Sequence, residues 1–320
     1  MVACAVFHPG QGAQYPGMAI DLYRQSDTVK SLFRLVRDIT GIDMYQTLCD
    51  ATGDQLRETL TTQLAVTLAS RSARIVLDEI GFSCNIHAGF SLGELAALAG
   101  AQIIDDATLF SIILRRGELM EQAIRTLETT LGKTSMMAVI GLSMTQIEQL
   151  IEDSAIEKVF MANDNSPTQT VIAGPLDKLN IAADMLRQNG ARKVVPLRVS
   201  GPFHTPLMRD AVEPFQEYVA SFRFNDPKGV CVSSVSGTVI PDGSTARDLC
   251  AKQLVSTVRW TSVMKTVLSL RQEHTFSLLL EAGPQRVLGG LWASMGTSIA
   301  CYPAGTSEAI EQLRNIGESL

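Results

Sequence analysis

Gly89-Phe90-Ser91-Leu92-Gly93 is a G-x-S-x-G pentapeptide placed between a strand-like and a helix-like segment. Upstream, Cys84 to Gly89 reads as a short strand that follows a helix stop at Gly81. Downstream, Leu92, Leu95, Ala96 and Ala99 recur at i, i+3, i+4 and i+7, the stripe of a helix packed on a sheet. A side chain at either flanking position would crowd the neighbouring element, so a turn this tight asks for glycine. The pattern predicts an α/β fold with a serine hydroxyl at the start of a helix, near backbone N–H groups that can stabilise an oxyanion. An incidental serine in a Gly-rich turn is the alternative. The strand-to-helix context favours a nucleophile.

The rest of the chain alternates strand and helix, as a parallel sheet covered on both faces requires. Strands are predicted at Val2–Phe7, Phe276–Glu281 and Ile299–Tyr302, and helices at Val29–Ile39, Leu56–Ile80, Asp106–Ile124 and Glu308–Ile316. Gly283-Pro284 is read as opening a further helix, with proline at its first position. One stretch breaks the rhythm. Met136–Gly141, Val159–Ala162, Gln169–Ala173 and Arg192–Val199 read as strands, and Leu176–Asn189 as a helix. Ser143 with Gln146 forms a capping box for another helix. The order β-α-β-β-α-β is that of a small ferredoxin-like subdomain. The expectation is a ferredoxin-like subdomain at 130–198, inserted in an α/β body formed by 1–129 and 199–320, with a site between them.

Composition narrows the partners. A net charge of −6 gives nucleic acid no global electrostatic footprint. The six cysteines include no C-x-x-C pair, which points to reduced thiols in the cytoplasm and away from disulfides or zinc. No apolar run approaches the roughly 20 residues that span a bilayer. Val2 enters a strand without a basic leader, so a soluble cytoplasmic protein with no membrane partner is expected.

A serine nucleophile needs a base, and the chain has four histidines, His8, His87, His204 and His274. Sites in parallel sheets form beyond the carboxyl ends of the strands. His87 lies too far back on the strand that enters the Gly89–Gly93 turn, the elbow that carries the serine, and His274 precedes its strand. His8 and His204 both follow strands. Placement in the irregular loop Ser200–Pro206 favours His204, while His8 abuts the Pro9-Gly10 turn and could be structural. Arg116 shares the apolar stripe of the helix Asp106–Ile124 with Leu109, Ile112, Ile113 and Met120. A buried guanidinium needs an anion, either a protein carboxylate or a carboxylate on the substrate. The residues alone leave these two readings even.

With these segments assembled, the chain resembles the malonyl-CoA:acyl carrier protein transacylases of fatty-acid and polyketide synthesis. The resemblance runs through Phe7–Gln14, Gly89–Glu94, Arg116–Met120, Asn163–Pro167, Val171–Gly174, Val199–His204, Gln253–Trp260 and Glu281–Pro284, in that order. It implies an α/β-hydrolase-like body with a ferredoxin-like insertion. It further implies Ser91 as the acylated nucleophile and His204 as its base. Arg116 would bind the malonyl carboxylate, and the N–H groups of Gln11 and Leu92 would form the oxyanion hole. Gln253 would orient His204 through its carbonyl, Gln63 would line the pocket, and Phe203 would leave little room for an α-methyl. The implied enzyme has no permanently bound cofactor. Malonyl-CoA is its substrate, acyl carrier protein its partner and bearer of the phosphopantetheine arm, and a monomer its expected state.

The chain departs from that family at three positions. Phe90 stands where histidine is usual, Leu64 where proline follows the glutamine, and His8 where an apolar residue is commoner. None removes a group the chemistry needs. An acyltransferase acting in trans on a polyketide or other malonate-using complex shares all these residues. A thioester hydrolase differs in its acceptor, and a non-catalytic relative is disfavoured by the retention of Ser91, His204 and Arg116 together.

Overall fold

The computed structural model describes residues 2–274 and 276–317. Its larger sheet is parallel throughout, in the order β7-β2-β1-β8-β9, where β1 is Val2–His8, β2 Phe82–Gly89, β7 Val230–Val232, β8 Leu278–Glu281 and β9 Cys301–Pro303. The central strands are near-continuous apolar runs because helices cover both faces. Phe7 points to the face where it meets Trp260 edge-on at 4.9 Å and Trp292 at 5.6 Å. On the other face Cys4 and Val6 join the core built with the helices Thr59–Glu79, Gly93–Gly100 and Asp106–Leu131.

The second sheet is antiparallel, in the order β4-β5-β3-β6, with β3 Thr134–Ile140, β4 Phe160–Ser166, β5 Gln169–Pro175 and β6 Lys193–Pro196. The helices Met144–Ser154 and Leu176–Gln188 complete the β-α-β-β-α-β order, and the Ser143–Gln146 capping box is formed. Alternation along β3 decides how this unit sits. Met137 and Val139 face its own helices, whereas Met136 and Ala138 join the core of the larger body. The edge strand β4 is tied to that body by Asp164 N–H donating to the Val258 carbonyl at 2.8 Å and Val258 N–H to that of Ala162 at 2.9 Å.

Two predicted elements are corrected. The helix expected at Leu56–Ile80 is interrupted: a 3-10 turn, Gln55–Arg57, precedes it, and an extended Glu58 restarts the helix at Thr59. Gly283-Pro284 does not open a helix. The helix begins at Val287, because the buried Glu281 carboxylate accepts from the N–H groups of Val287, Leu288 and Gly289 at 2.8–2.9 Å and so places its start.

Behind β1 and β2 lies a buried polar chain. Ser70 Oγ donates to the Ala282 carbonyl at 2.7 Å, His8 Nδ1 meets Ser70 Oγ at 2.9 Å, and His8 Nε2 meets His87 Nδ1 at 3.2 Å. His87 Nε2 closes the chain on the Cys84 carbonyl at 2.9 Å.

Candidate active site

The elbow is shaped by close backbone approach. A Cβ at Gly89 would collide with the Gly93 carbonyl, and one at Gly93 with the His8 carbonyl. Phe90 N–H donates to that His8 carbonyl at 2.9 Å, which ties the turn to β1. Ser91 itself is left-handed, at φ 53°, a conformation of order 1–2 kcal/mol above the right-handed one. It projects the hydroxyl above the carboxyl ends of the strands, ahead of the helix Gly93–Gly100.

There Ser91 Oγ stands 2.6 Å from Nε2 of His204. His204 is also left-handed, at φ 61°, in a loop where Thr205 Oγ1 donates to the Pro202 carbonyl at 2.7 Å. Its Nδ1 lies 3.0 Å from the backbone carbonyl of Gln253. A carbonyl only accepts, so the proton is assigned to Nδ1 and Nε2 is left with a lone pair for the serine proton. Burial, and secondarily the Arg116 charge, push His204 down to about 4, so it is neutral and able to accept at neutral pH. A hydroxyl, a neutral imidazole and an orienting acceptor are the parts of an activated serine.

Arg116 is 2 % exposed. Its guanidinium donates to two amide oxygens, Gln63 Oε1 at 2.8 Å and Gln253 Oε1 at 3.0 Å, while Nε has no partner. Among the described residues no carboxylate forms an ion pair with it, so the buried ion pair that the sequence left open is not formed. Burial pulls it down only to about 10, and it remains a cation. Ser91, Arg116 and His204 line one narrow cavity of about 70 Å³, with Gln11 and Leu92 at its serine end. Neither the Gln11 nor the Leu92 N–H has a partner among the described residues, so both can donate to an oxyanion. Met120, Met136, Leu197, Val199 and Phe203 supply an apolar wall. A roomier cavity of about 440 Å³, against Ala3, Cys4 and Lys228, lies at the opposite end of the sheet and contains no serine–histidine couple.

Gln63 requires a correction. It is not among the residues lining the cavity but stands behind it, fully buried, holding Arg116. Gln253 meets His204 with its backbone carbonyl, and its side chain also bonds Arg116, the Ser91 carbonyl and Glu94. Glu94 had no role in the sequence reading, and only its burial beside Gln253 reveals one. Asn163, with a buried Oδ1 that lacks a partner, also borders the cavity. Phe90 fills its position apolarly, edge-on to Trp260 at 5.4 Å.

His8 is fully buried in the chain with Ser70 and His87 and makes no hydrogen bond to Ser91. Loss of a general base typically costs about 10²–10⁴-fold. His204→Ala is expected to fall in that range in kcat, with His8→Ala retaining turnover per folded molecule. Equal losses in the two variants, measured on samples matched by circular dichroism, would refute the assignment of His204.

The family described as acyl transferase domain matches residues 6–285. The malonyl CoA-acyl carrier protein transacylase of Bacillus subtilis is 28% identical over 314 residues, 97% of this chain and 96% of the relative. The structure of the enzyme of that name from Coxiella burnetii superposes with a TM-score of 0.89 at 29% identity, covering 98% of this chain and 97% of the other. A malonyl-transacylase solved in complex with a type II PKS acyl-carrier protein gives 0.89 at 30% identity, over 99% and 100% of the two chains.

Proposed function

The chain belongs to the acyl transferase domain family, and from that membership we propose that it moves a malonyl group from malonyl-CoA to the phosphopantetheine thiol of an acyl carrier protein. The observation that carries the reading is the 2.6 Å Ser91–His204 couple sharing a cavity with an arginine to which no carboxylate is bonded among the described residues. In the first half-reaction His204 Nε2 takes the Ser91 proton as Oγ attacks the thioester carbonyl. The N–H groups of Gln11 and Leu92 hold the resulting oxyanion. Collapse expels CoA, whose sulfur takes the proton from His204, and leaves malonyl-Ser91. In the second half-reaction the carrier's thiol gives His204 its proton and attacks the ester carbonyl, and collapse expels Ser91 Oγ, which takes that proton from His204 and leaves the malonyl group on the carrier's sulfur. Arg116 holds the malonyl carboxylate through both halves, and Gln253 keeps His204 in the reactive tautomer.

On this reading the acyl group rides on the protein itself, so no resident cofactor is needed, and a monomer suffices because one chain supplies every group. Residues 130–198 act as the small subdomain and 1–129 with 199–320 as the body. The six free cysteines, all but Cys49 buried, suit the cytoplasm. No helix among the described residues is long and apolar enough to cross a membrane.

Intact-mass spectrometry tests the proposal. Mixing with malonyl-CoA should add one malonyl group, and holo-carrier protein should then remove it and gain the same mass. Discharge to water at the same rate without carrier would make the protein a hydrolase instead. Carriers of fatty-acid and polyketide synthesis run side by side would identify the acceptor by the faster discharge.

A further inference from the structure

Glu94 is 1 % exposed, three residues beyond the nucleophile on the elbow helix, and the mechanism above does not use it. Its carboxylate sits among donors. Oε1 accepts from Ser233 Oγ at 2.8 Å, and Oε2 accepts from Ser234 N–H at 3.1 Å, from Ser234 Oγ and from Gln253 Nε2 at 3.2 Å. The same Gln253 amide accepts from Arg116 through Oε1 at 3.0 Å and donates from Nε2 to the Ser91 carbonyl, also at 3.0 Å. The amide orientation is therefore fixed, with its oxygen toward the cation and its nitrogen toward the anion. One glutamine side chain links two buried opposite charges that do not touch. No other carboxylate bonds to this amide or to Arg116 among the described residues.

We propose that Glu94, acting through the Gln253 amide, is the resident counter-charge of Arg116 and sets how tightly the site holds a substrate carboxylate. The inference rests on the reading of Arg116 as the malonyl-binding residue and adds a positioning residue to it. A bare guanidinium in this cavity would be costly while the site is empty and would grip an anionic acyl group once filled. A fixed anion two hydrogen bonds away offsets part of that charge without occupying the fork that the substrate must reach. The site can then hold malonate and still release it on the carrier. Burial raises Glu94 above the usual carboxylate range, and the hydrogen bonds from Ser234, Ser233 and Gln253 oppose that rise.

Glu94→Gln is a clean probe because the amide can keep the hydrogen bonds. Its oxygen replaces Oε2, and its NH₂ can donate to Ser233 Oγ, which already accepts from Val235 N–H. The charge goes, and the Ser233 hydroxyl hydrogen gives up the acceptor it had in Oε1. At an effective dielectric of about 20, a charge about 8 Å away is worth roughly thirtyfold in affinity. Glu94→Gln should therefore lower KM for malonyl-CoA by up to about thirtyfold and lower kcat as release slows, leaving KM for acetyl-CoA unchanged. Glu94→Asp, which keeps the charge, should keep the wild-type ratio of the two KM values. In an Arg116→Ala background, Glu94→Gln should no longer move malonyl-CoA. Equal shifts for both substrates, or the same change in Gln and Asp variants, would show a merely structural glutamate and overturn the proposal. Should Glu94→Gln alone fail to fold, recovery in the double variant reads the same counter-charge as stability, and no recovery overturns it. If Arg116→Ala leaves malonyl preference intact, both this inference and the reading beneath it fall. If that variant loses malonyl and Glu94→Gln changes nothing, only this inference falls.

Discussion

Ser91→Ala is expected to abolish the acyl-enzyme mass shift and to cut turnover by a factor on the order of 10⁵ or more, the scale at which an activated serine is lost. The argument is geometric. The Oγ removed is the only atom placed 2.6 Å from the His204 lone pair, and the cavity offers no second hydroxyl. The substitution is also quiet structurally, because alanine meets the left-handed backbone at φ 53° with about the same penalty as serine. Melting temperature should change little, so lost activity cannot be blamed on unfolding. Malonylation of the variant at the wild-type rate would sink the assignment of Ser91.

Arg116→Ala should have the second largest effect, and on selectivity rather than on chemistry. Hydrogen bonds to a charged group contribute about 1.5–3 kcal/mol each, so losing a bidentate pair to malonate costs on the order of 10²–10⁴-fold in kcat/KM. Acetyl-CoA, with no carboxylate to place, should lose far less and can gain relative to malonyl-CoA. Some stability will go as well, because the Gln63 and Gln253 amide oxygens lose their donor inside the core. Arg116→Lys is the companion variant. It keeps a point charge but not the fork, and should fall between the two. Measuring kcat/KM for malonyl-, methylmalonyl- and acetyl-CoA decides the matter. A mutant that still ranks malonyl far above acetyl would leave Arg116 as a structural residue.

What could be read from the sequence was local. The G-x-S-x-G spacing dictates a strand, a turn and a helix within a dozen residues, and the β-α-β-β-α-β order needs only hydrophobic period and turn residues. His204 could be picked out because a loop beyond a strand end was predictable. The rest depended on contacts between distant segments. Gln253 meets Arg116 across 137 residues and Ser91 across 162. Glu94 looked like an ordinary charged residue in an alanine-rich helix, and nothing nearby told that the Ser233–Ser234 turn would close over it. β7 is three residues long, too short for alternation to register. The start at Val287 was set by a side chain six residues upstream, not by the proline that seemed to announce it.

The polar chain behind β1 and β2 sets a limit on the acidity this fold can tolerate. It ends in carbonyl oxygens at both sides, Ala282 and Cys84, and joins them by four contacts through Ser70, His8 and His87. Those three neutral side chains own one polar hydrogen each, one fewer than the contacts would use. A fourth would make an imidazolium, and burial, with the neighbouring Arg71 and Arg74 guanidinia, opposes it: His8 lies well below its ordinary value and His87 is pushed down to about 3. The unfolded chain has no such aversion and protonates both rings near 6.5. Stability from His87 is therefore whole above pH 6.5 and drains away as pH falls toward 3, with a slope of up to about 1.4 kcal/mol per pH unit, and His8 adds to the loss in the same direction. For His87 alone that amounts to roughly 2 kcal/mol by pH 5, a sizeable part of what holds a typical domain together. Denaturant titrations at pH 7.5 and 5 should show the loss, and a flat profile would refute it. Storage, crystallisation or assay in mildly acidic buffer would thus weaken the very strand pair, β1 and β2, from which the serine turn springs.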